Sequence, residues 1–477
     1  MKLRFTCLCL LGTLFCNAQQ DLASLVKAYE KVGYHGAILV AKGHQILYQG
    51  GYGIADQQTQ VKNDAQTRFK TESIGKMLTA TLVMQEVEKG TLSLEDNLDH
   101  FFPGVYTQNG HLIKVKHLLS HTSGITETEL NPNYKPGGNY SRADILKFRA
   151  EAPLAFTVPG KEFRYSNLGF TILADILQEI NHKPFTELIK ERIFIPSKME
   201  HTGHPADTAI NIHAAKPYLW VSSTKFIQET RTIGKYANAS GGWMSTIQDF
   251  YHFMRDFNQG SYISKKSFEI MGSGGIEFQP GYWYTYGLNR AAIGTNGKQI
   301  YGHTGGGGGY ACDIYVEPES GYIVINFMNM YGDGRPMTKN IFKWLLKEKL
   351  DTIKKWDDIA LGDVMEKKGL AHFDTHYREE LTALGMLPKT AGGYNRLASS
   401  FDDVNDQASR EILLRVGLKE FPQSGQLWLN LGRSLYKQNR YEAMQEALAH
   451  AQQIATSTKD DFLARMAKIE LDKLIKK

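Results

Sequence analysis

Residues 71–84, Thr71-Glu72-Ser73-Ile74-Gly75-Lys76-Met77-Leu78-Thr79-Ala80-Thr81-Leu82-Val83-Met84, decide how this chain is read. The run from Met77 is apolar and free of proline, so it predicts a helix. Helical positions three apart share a face, which sets Ser73 beside Lys76 at the helix start. A serine hydroxyl is a poor nucleophile until a neighbouring base takes its proton. A lysine is such a base once burial or a nearby cation lowers its pKa. Ser-x-x-Lys also occurs in ordinary helices as an exposed pair without chemistry. The rest of the chain has to decide between the two.

Three further segments bear on that choice. Phe163-Arg164-Tyr165-Ser166-Asn167-Leu168-Gly169 leads from a Pro159-Gly160 turn into a helical pattern. Tyr165 and Asn167 alternate, so an extended loop points both the same way; a tyrosine near a lysine can pass a proton, and an asparagine amide can bind a carbonyl oxygen. An asparagine helix cap beside a packed tyrosine would look the same. Tyr301-Gly302-His303-Thr304-Gly305 reads as a strand end, followed by Gly306 to Gly309. Consecutive glycines let a ligand lie against backbone donors, although a hairpin loop and a structural histidine would serve equally. The third segment is His117-Leu118-Leu119-Ser120-His121-Thr122-Ser123-Gly124. Its histidines are four apart, but no glutamate completes a zinc-protease helix. A structural role is favoured, and neither a metal nor a cofactor is predicted.

Together these segments resemble the serine β-lactamase and penicillin-binding protein superfamily, in the class C β-lactamase-like branch with its DD-peptidases and esterases. Ala239-Ser240-Gly241-Gly242-Trp243-Met244-Ser245-Thr246 looks like another signature of that family, and the resemblance covers roughly residues 22–350. It implies an α/β fold of the β-lactamase/transpeptidase type: an antiparallel sheet flanked by helices, with an inserted helical lobe. It also implies Ser73 as nucleophile, Lys76 as its partner in proton transfer, and Tyr165 as general base for acylation and for the deacylating water. Asn167, His303, Thr304, Gly305 and Gly306 would bind substrate, with the amides of Ser73 and Gly306 as an oxyanion hole. One position departs from the antibiotic-destroying members, which carry lysine where this chain has His303. A histidine of reference pKa about 6.5 is largely neutral at pH 7. That shifts the expected substrate from penicillins toward a small-molecule or peptide ester or amide.

The remaining sequence bounds this reading. The chain has 477 residues and a formal charge of +5, with no dense basic stripe, so no nucleic-acid partner is expected. Residues 1–18 read as a signal peptide: Lys2 and Arg4, an apolar stretch from Phe5 to Phe15, then Cys16-Asn17-Ala18. Bulky Phe15 and Thr6 before Cys16 and Cys7 argue against lipid anchoring, and the apolar run is too short to span a bilayer. An exported, periplasmic or secreted protein follows, with no transmembrane segment. Cys312 is then the one remaining cysteine, read as a strand residue.

Strand patterns at Gly36–Ala41 and Gln45–Tyr48, and again at Tyr310–Val316 and Tyr322–Phe327, enclose a mostly helical middle. One sheet built from both ends of residues 19–351 is therefore expected. Residues 352–477 form a polar, helix-rich tail in which Trp428, Leu431, Gly432, Ala443 and Ala447 resemble a tetratricopeptide unit. The competing functional reading is a recognition or scaffold protein of minor catalytic activity, with these helices binding a protein partner.

Overall fold

The computed structural model describes residues 21–106, 109–127, 131, 141–230, 237–330 and 334–475. The leader expected at residues 1–18 lies outside the described residues. Contacts divide the chain into two units: residues up to Tyr218 with Gln228–Lys354, and Leu219–Ile227 with Lys355–Lys477.

The first unit is built on one sheet of eight strands. They are β1 (Gly36–Lys42), β2 (Gln45–Tyr52), β3 (Ile276–Gln279), β4 (Tyr282–Tyr284), β5 (Asn289–Ile293), β6 (Lys298–Gly307), β7 (Tyr310–Glu317) and β8 (Tyr322–Met328). Their spatial order is β2-β1-β8-β7-β6-β5-β4-β3. All neighbours are antiparallel. The join between the two ends of the unit is β1 against β8, with Ala37 opposite Phe327 and Leu39 opposite Ile325.

Residues Ala37 to Ala41 are all buried, so β1 is covered on both faces and reads as an unbroken apolar run rather than an alternation. On one face, Leu39, Ile314 and Phe327 join a core with the helices Gly75–Lys89 and Ile247–Asn258. The opposite face is covered by the helix at residues 21–31 and the helix Arg335–Leu345. Tyr29 ties these two helices together: its hydroxyl donates to the Pro336 carbonyl at 2.9 Å and accepts from Asn340 Nδ2 at 2.8 Å.

The sequence of residues 274–286 reads as a loop whose Tyr282, Trp283, Tyr284 and Tyr286 could line a groove or simply pack. Residues 274–286 are largely β3 and β4, paired across a turn at Gly281, whose φ is +76°. These strands are only four and three residues long, too short for a periodic signal to stand out.

The second unit is helical. Helices Ala391–Asp403 and Gly425–Lys437 start 34 residues apart, as do Gln407–Glu420 and Tyr441–Thr458. Gly432 sits where two of them cross closely, since a Cβ there would lie 2.7 Å from Leu448 Cδ2. Leu219–Ile227 joins this unit through Asp363, which accepts from the Ser223 amide at 2.6 Å and from Lys355 Nζ at 2.7 Å. No change of composition marks that insertion in the sequence.

Candidate active site

Ser73 lies in a 3-10 turn, Glu72–Ile74, that opens directly into the helix Gly75–Lys89. The helix is buried almost all round and stops at Gly90, whose φ of +74° only glycine adopts without cost. Glu72 itself has φ +46°, a strained value for a side-chain-bearing residue. Its neighbours hold it there. Gly242 N donates to the Glu72 carbonyl at 3.0 Å, and a Cβ on Gly241 would fall 1.8 Å from that oxygen. On the other side, a Cβ on Gly305 would fall 2.1 Å from the Thr71 carbonyl. The glycines of two sequence motifs thus let the 239–242 loop and β6 close on the turn that presents Ser73.

Two groups converge on the Ser73 oxygen. Lys76 Nζ donates to Oγ at 3.1 Å, and the Tyr165 hydroxyl donates to it at 2.7 Å. Lys76 spends its other two donors on Asn167 Oδ1 at 2.7 Å and the Ser240 carbonyl at 2.8 Å. The side chain is 0% exposed, and burial pulls its pKa from 10.5 down to about 7, against the opposing fields of Glu127 and Glu72. Tyr165 moves the other way. Crowding of its hydroxyl raises its pKa well above 10, although the residue as a whole is 38% exposed. The Ser73 hydrogen bond opposes that rise. At neutral pH the lysine is partly free amine and the tyrosine is a phenol.

Asn167 is the first residue of the helix Asn167–Asn181 rather than its cap. Ser166 is the cap, accepting from Gly169 N at 3.0 Å, which frees the asparagine side chain for Lys76. His303 is 1% exposed on β6. Its Nδ1 lies 2.5 Å from the Thr304 carbonyl, which can only accept, so Nδ1 carries the proton and Nε2 accepts from the Tyr284 hydroxyl at 2.9 Å. Burial and then Lys76 lower its pKa to about 3, so it is neutral throughout the working range. Thr304 and Gly306 follow on the same strand, Thr304 accepting from Asn289 Nδ2 at 3.3 Å.

The other histidine pair supports backbone. His117 Nδ1 accepts from Lys114 N at 3.1 Å, and His121 Nδ1 accepts from Ser166 N at 3.1 Å. Among the described residues no group of three or more His, Cys, Asp or Glu could hold a metal ion. No described helix is long and apolar enough to cross a membrane.

Ser73 stands between two cavities. One of about 700 Å³ is polar, with Glu72, Glu127, Asn167, Asn238 and Ser240 in its wall. The other, about 300 Å³, lies on the Tyr165 side and is aromatic, with Phe163, Phe278, Tyr282 and Tyr284 beside His303 and Arg335. Phe163 and Phe278 stack with ring centroids 5.2 Å apart. Glu127, Asn289 and Arg335 are the site residues that motif reading did not reach. Glu127 lies three residues past a recognised motif; Asn289 and Arg335 belong to a strand and a helix start with no local signature.

An antiparallel sheet, a helical lobe and a Ser-x-x-Lys turn facing Tyr165 and β6 define the β-lactamase/transpeptidase-like class of serine hydrolase folds. The chain belongs to the Beta-lactamase family, whose model matches residues 22–346. It is 29% identical over 272 residues to the protein described as "Putative penicillin-binding protein PbpX" of Bacillus subtilis (strain 168), covering 57% of this chain and 65% of that relative. The chain thus spans just under two thirds of that relative's length. Among solved structures, the octameric penicillin-binding protein homologue from Pyrococcus abyssi superposes with a TM-score of 0.59 at 24% identity, over 69% of this chain and 78% of that one. The D-amino acid amidase from Ochrobactrum anthropi SV3 superposes with a TM-score of 0.58 at 19% identity, over 67% and 99%. These structural likenesses show the fold.

Proposed function

We propose that this protein hydrolyses an ester or amide through an acyl-enzyme on Ser73. The observation that carries the reading is the pair of contacts on Ser73 Oγ, from a fully buried lysine and from a tyrosine hydroxyl. Lys76 with a pKa of about 7 is a free amine in about half the molecules at pH 7, so it can take the Ser73 proton as Oγ attacks. Tyr165, which the resemblance implies as the general base, resists ionisation because its hydroxyl is crowded, so in this reading it keeps its proton at that pH, hands it to the departing oxygen or nitrogen, and regains one from Lys76. The amides of Ser73 and Gly306 are the donors for the developing oxyanion, each worth about 3 kcal/mol in sites of this kind. Asn167 and Ser240 hold Lys76 in place.

Two features support a small ester or amide as substrate. His303 brings no charge to the third motif, and the aromatic cavity beside Tyr165 suits an apolar leaving group. D-amino-acid amides and D-Ala-D-Ala peptides belong in the same screen, since relatives of this fold include a D-amino acid amidase and penicillin-binding proteins. Ser73→Ala is expected to abolish both hydrolysis of p-nitrophenyl esters and labelling by a fluorophosphonate. Labelling of the variant at the native level would sink the proposal. Export is part of it too, supported by the pattern at residues 1–18, and is tested by N-terminal sequencing of the protein from its native compartment.

A further inference from the structure

We propose that Glu127 is a positioning residue for this centre: its carboxylate grips the start of the Asn167–Asn181 helix, sets Asn167 against Lys76, and keeps a negative charge near the Lys76 amine. This rests on the acyl-transfer reading above.

The geometry is specific. Asn167 N donates to one Glu127 oxygen at 2.6 Å, and Leu168 N donates to the other at 3.2 Å. The first amides of a helix have no partner within it, and an anion at that end is favoured by their aligned dipoles. Ser166 already caps this helix through Gly169 N. Elsewhere in the unit, Thr246 shows that one local side chain is enough to start a helix, its Oγ1 accepting from Asp249 N at 3.2 Å. Here a second group is brought from 40 residues away in sequence. The residue it pins is the one whose side chain accepts from Lys76. A shift of the Asn167 backbone would therefore be felt at Nζ, and through Nζ at Ser73 Oγ.

Glu127 also lines the polar cavity beside Ser73. The charged and titratable groups facing Lys76 are Glu72 from the nucleophile turn, Glu127, the Tyr165 phenol, and His121 and His303, both neutral. Asn167 and the Ser240 carbonyl complete its surroundings. Of the two carboxylates that oppose its burial, Glu127 acts more strongly. Without Glu127 the amine would shed its proton at lower pH and become a weaker base.

The test is the pH profile of kcat/KM for an uncharged ester, p-nitrophenyl acetate, in the full-length enzyme, for the native protein, Glu127→Gln and Glu127→Asp. Glu127→Gln keeps an acceptor for one helix amide and removes the charge. Its acid limb is expected to move down by about one pH unit, with a lower plateau and little change in KM. Glu127→Asp keeps the charge on a shorter arm. Its acid limb should stay near the native position while kcat falls. An acid limb common to native enzyme and Glu127→Gln would overturn the proposal, whatever happened to the plateau. A Glu127→Gln defect confined to KM for amine-bearing esters would also overturn it, making Glu127 a substrate contact. Native enzyme that neither hydrolyses esters nor labels at Ser73 would instead overturn the acyl-transfer reading itself.

Discussion

Replacing Lys76 by methionine should destroy activity without destabilising the protein near neutral pH, and the reason can be worked from the site. The fall in the Lys76 pKa from 10.5 to about 7 on folding corresponds to ~5 kcal/mol, at about 1.4 kcal/mol per pH unit. Its sign follows from proton counting. Between about pH 7 and 10.5 the unfolded lysine holds a proton that the folded one has lost, so native stability rises with pH across that window. Below about 7 the cost is present in full; above 10.5 it is gone. Methionine fills the buried chain as far as Cε, one atom short of Nζ, and carries no charge to desolvate. It forfeits the three hydrogen bonds from Nζ, at ~1 kcal/mol each or ~3 kcal/mol together.

The difference favours the variant by ~2 kcal/mol at pH 6.5, or about 3–5 °C in Tm for a unit of this size. Near pH 10 the desolvation gain has mostly vanished and the lost hydrogen bonds dominate, so the order reverses. Calorimetry of both proteins at pH 6.5, 8 and 10, with ester hydrolysis alongside, checks this. A variant that melts 5 °C or more below the native protein at pH 6.5, with a gap independent of pH, would refute the claim that Lys76 is buried at a cost.

Three further outcomes follow from the same geometry. Native kcat/KM for an uncharged ester should rise with pH through an acid limb near 7, because the active form of Lys76 is the free amine; a limb below pH 5 would point to a different base. Tyr165→Phe should fold normally and slow acylation or deacylation by about 10²–10⁴, read as burst and steady-state rates. Gly241→Ala places a Cβ 1.8 Å from the Glu72 carbonyl at a φ of +140°, and should cost about 2–4 kcal/mol and most of the activity; an unchanged melting curve would show that the turn can yield.

Much of this site was legible because its residues sit in short local patterns. Ser73 and Lys76 are held together by helix geometry alone, and Tyr165 and Asn167 by a loop that alternates before a helix. The pairing of β1 with β8 was readable because both strands are largely apolar, broken only by Lys42 at the end of β1 and Asn326 within β8. What could not be read depends on contacts distant in sequence. Asn167 looked equally like a cap, and only the placement of Ser166 shows that it is free to hold Lys76. Glu127 carries no motif of its own; its role exists only because the 121–127 segment packs on a helix 40 residues later. The aromatic residues Tyr282, Trp283, Tyr284 and Tyr286 could be read either as groove lining or as packing, and Tyr282 and Tyr284 line the cavity; the brevity of the strands in residues 276–284 hid the pairing there and Asn289 on the strand that follows.

His303 and Lys76 are governed by the same physical constraint. Both are almost wholly enclosed, burial lowers the tendency of each to carry a proton, and Lys76 adds to that effect at His303. A lysine at position 303 would put a second ammonium beside Lys76 in a space that already charges heavily for one. Here the third motif instead carries a neutral ring, bridged between Tyr284 and the Thr304 carbonyl, which steadies β6 where Thr304, Gly305 and Gly306 pass Ser73. Histidine at this position therefore costs the site a fixed cation but leaves the Lys76 amine, the group on which proton transfer depends, set by its burial and by the opposing charges of Glu127 and Glu72.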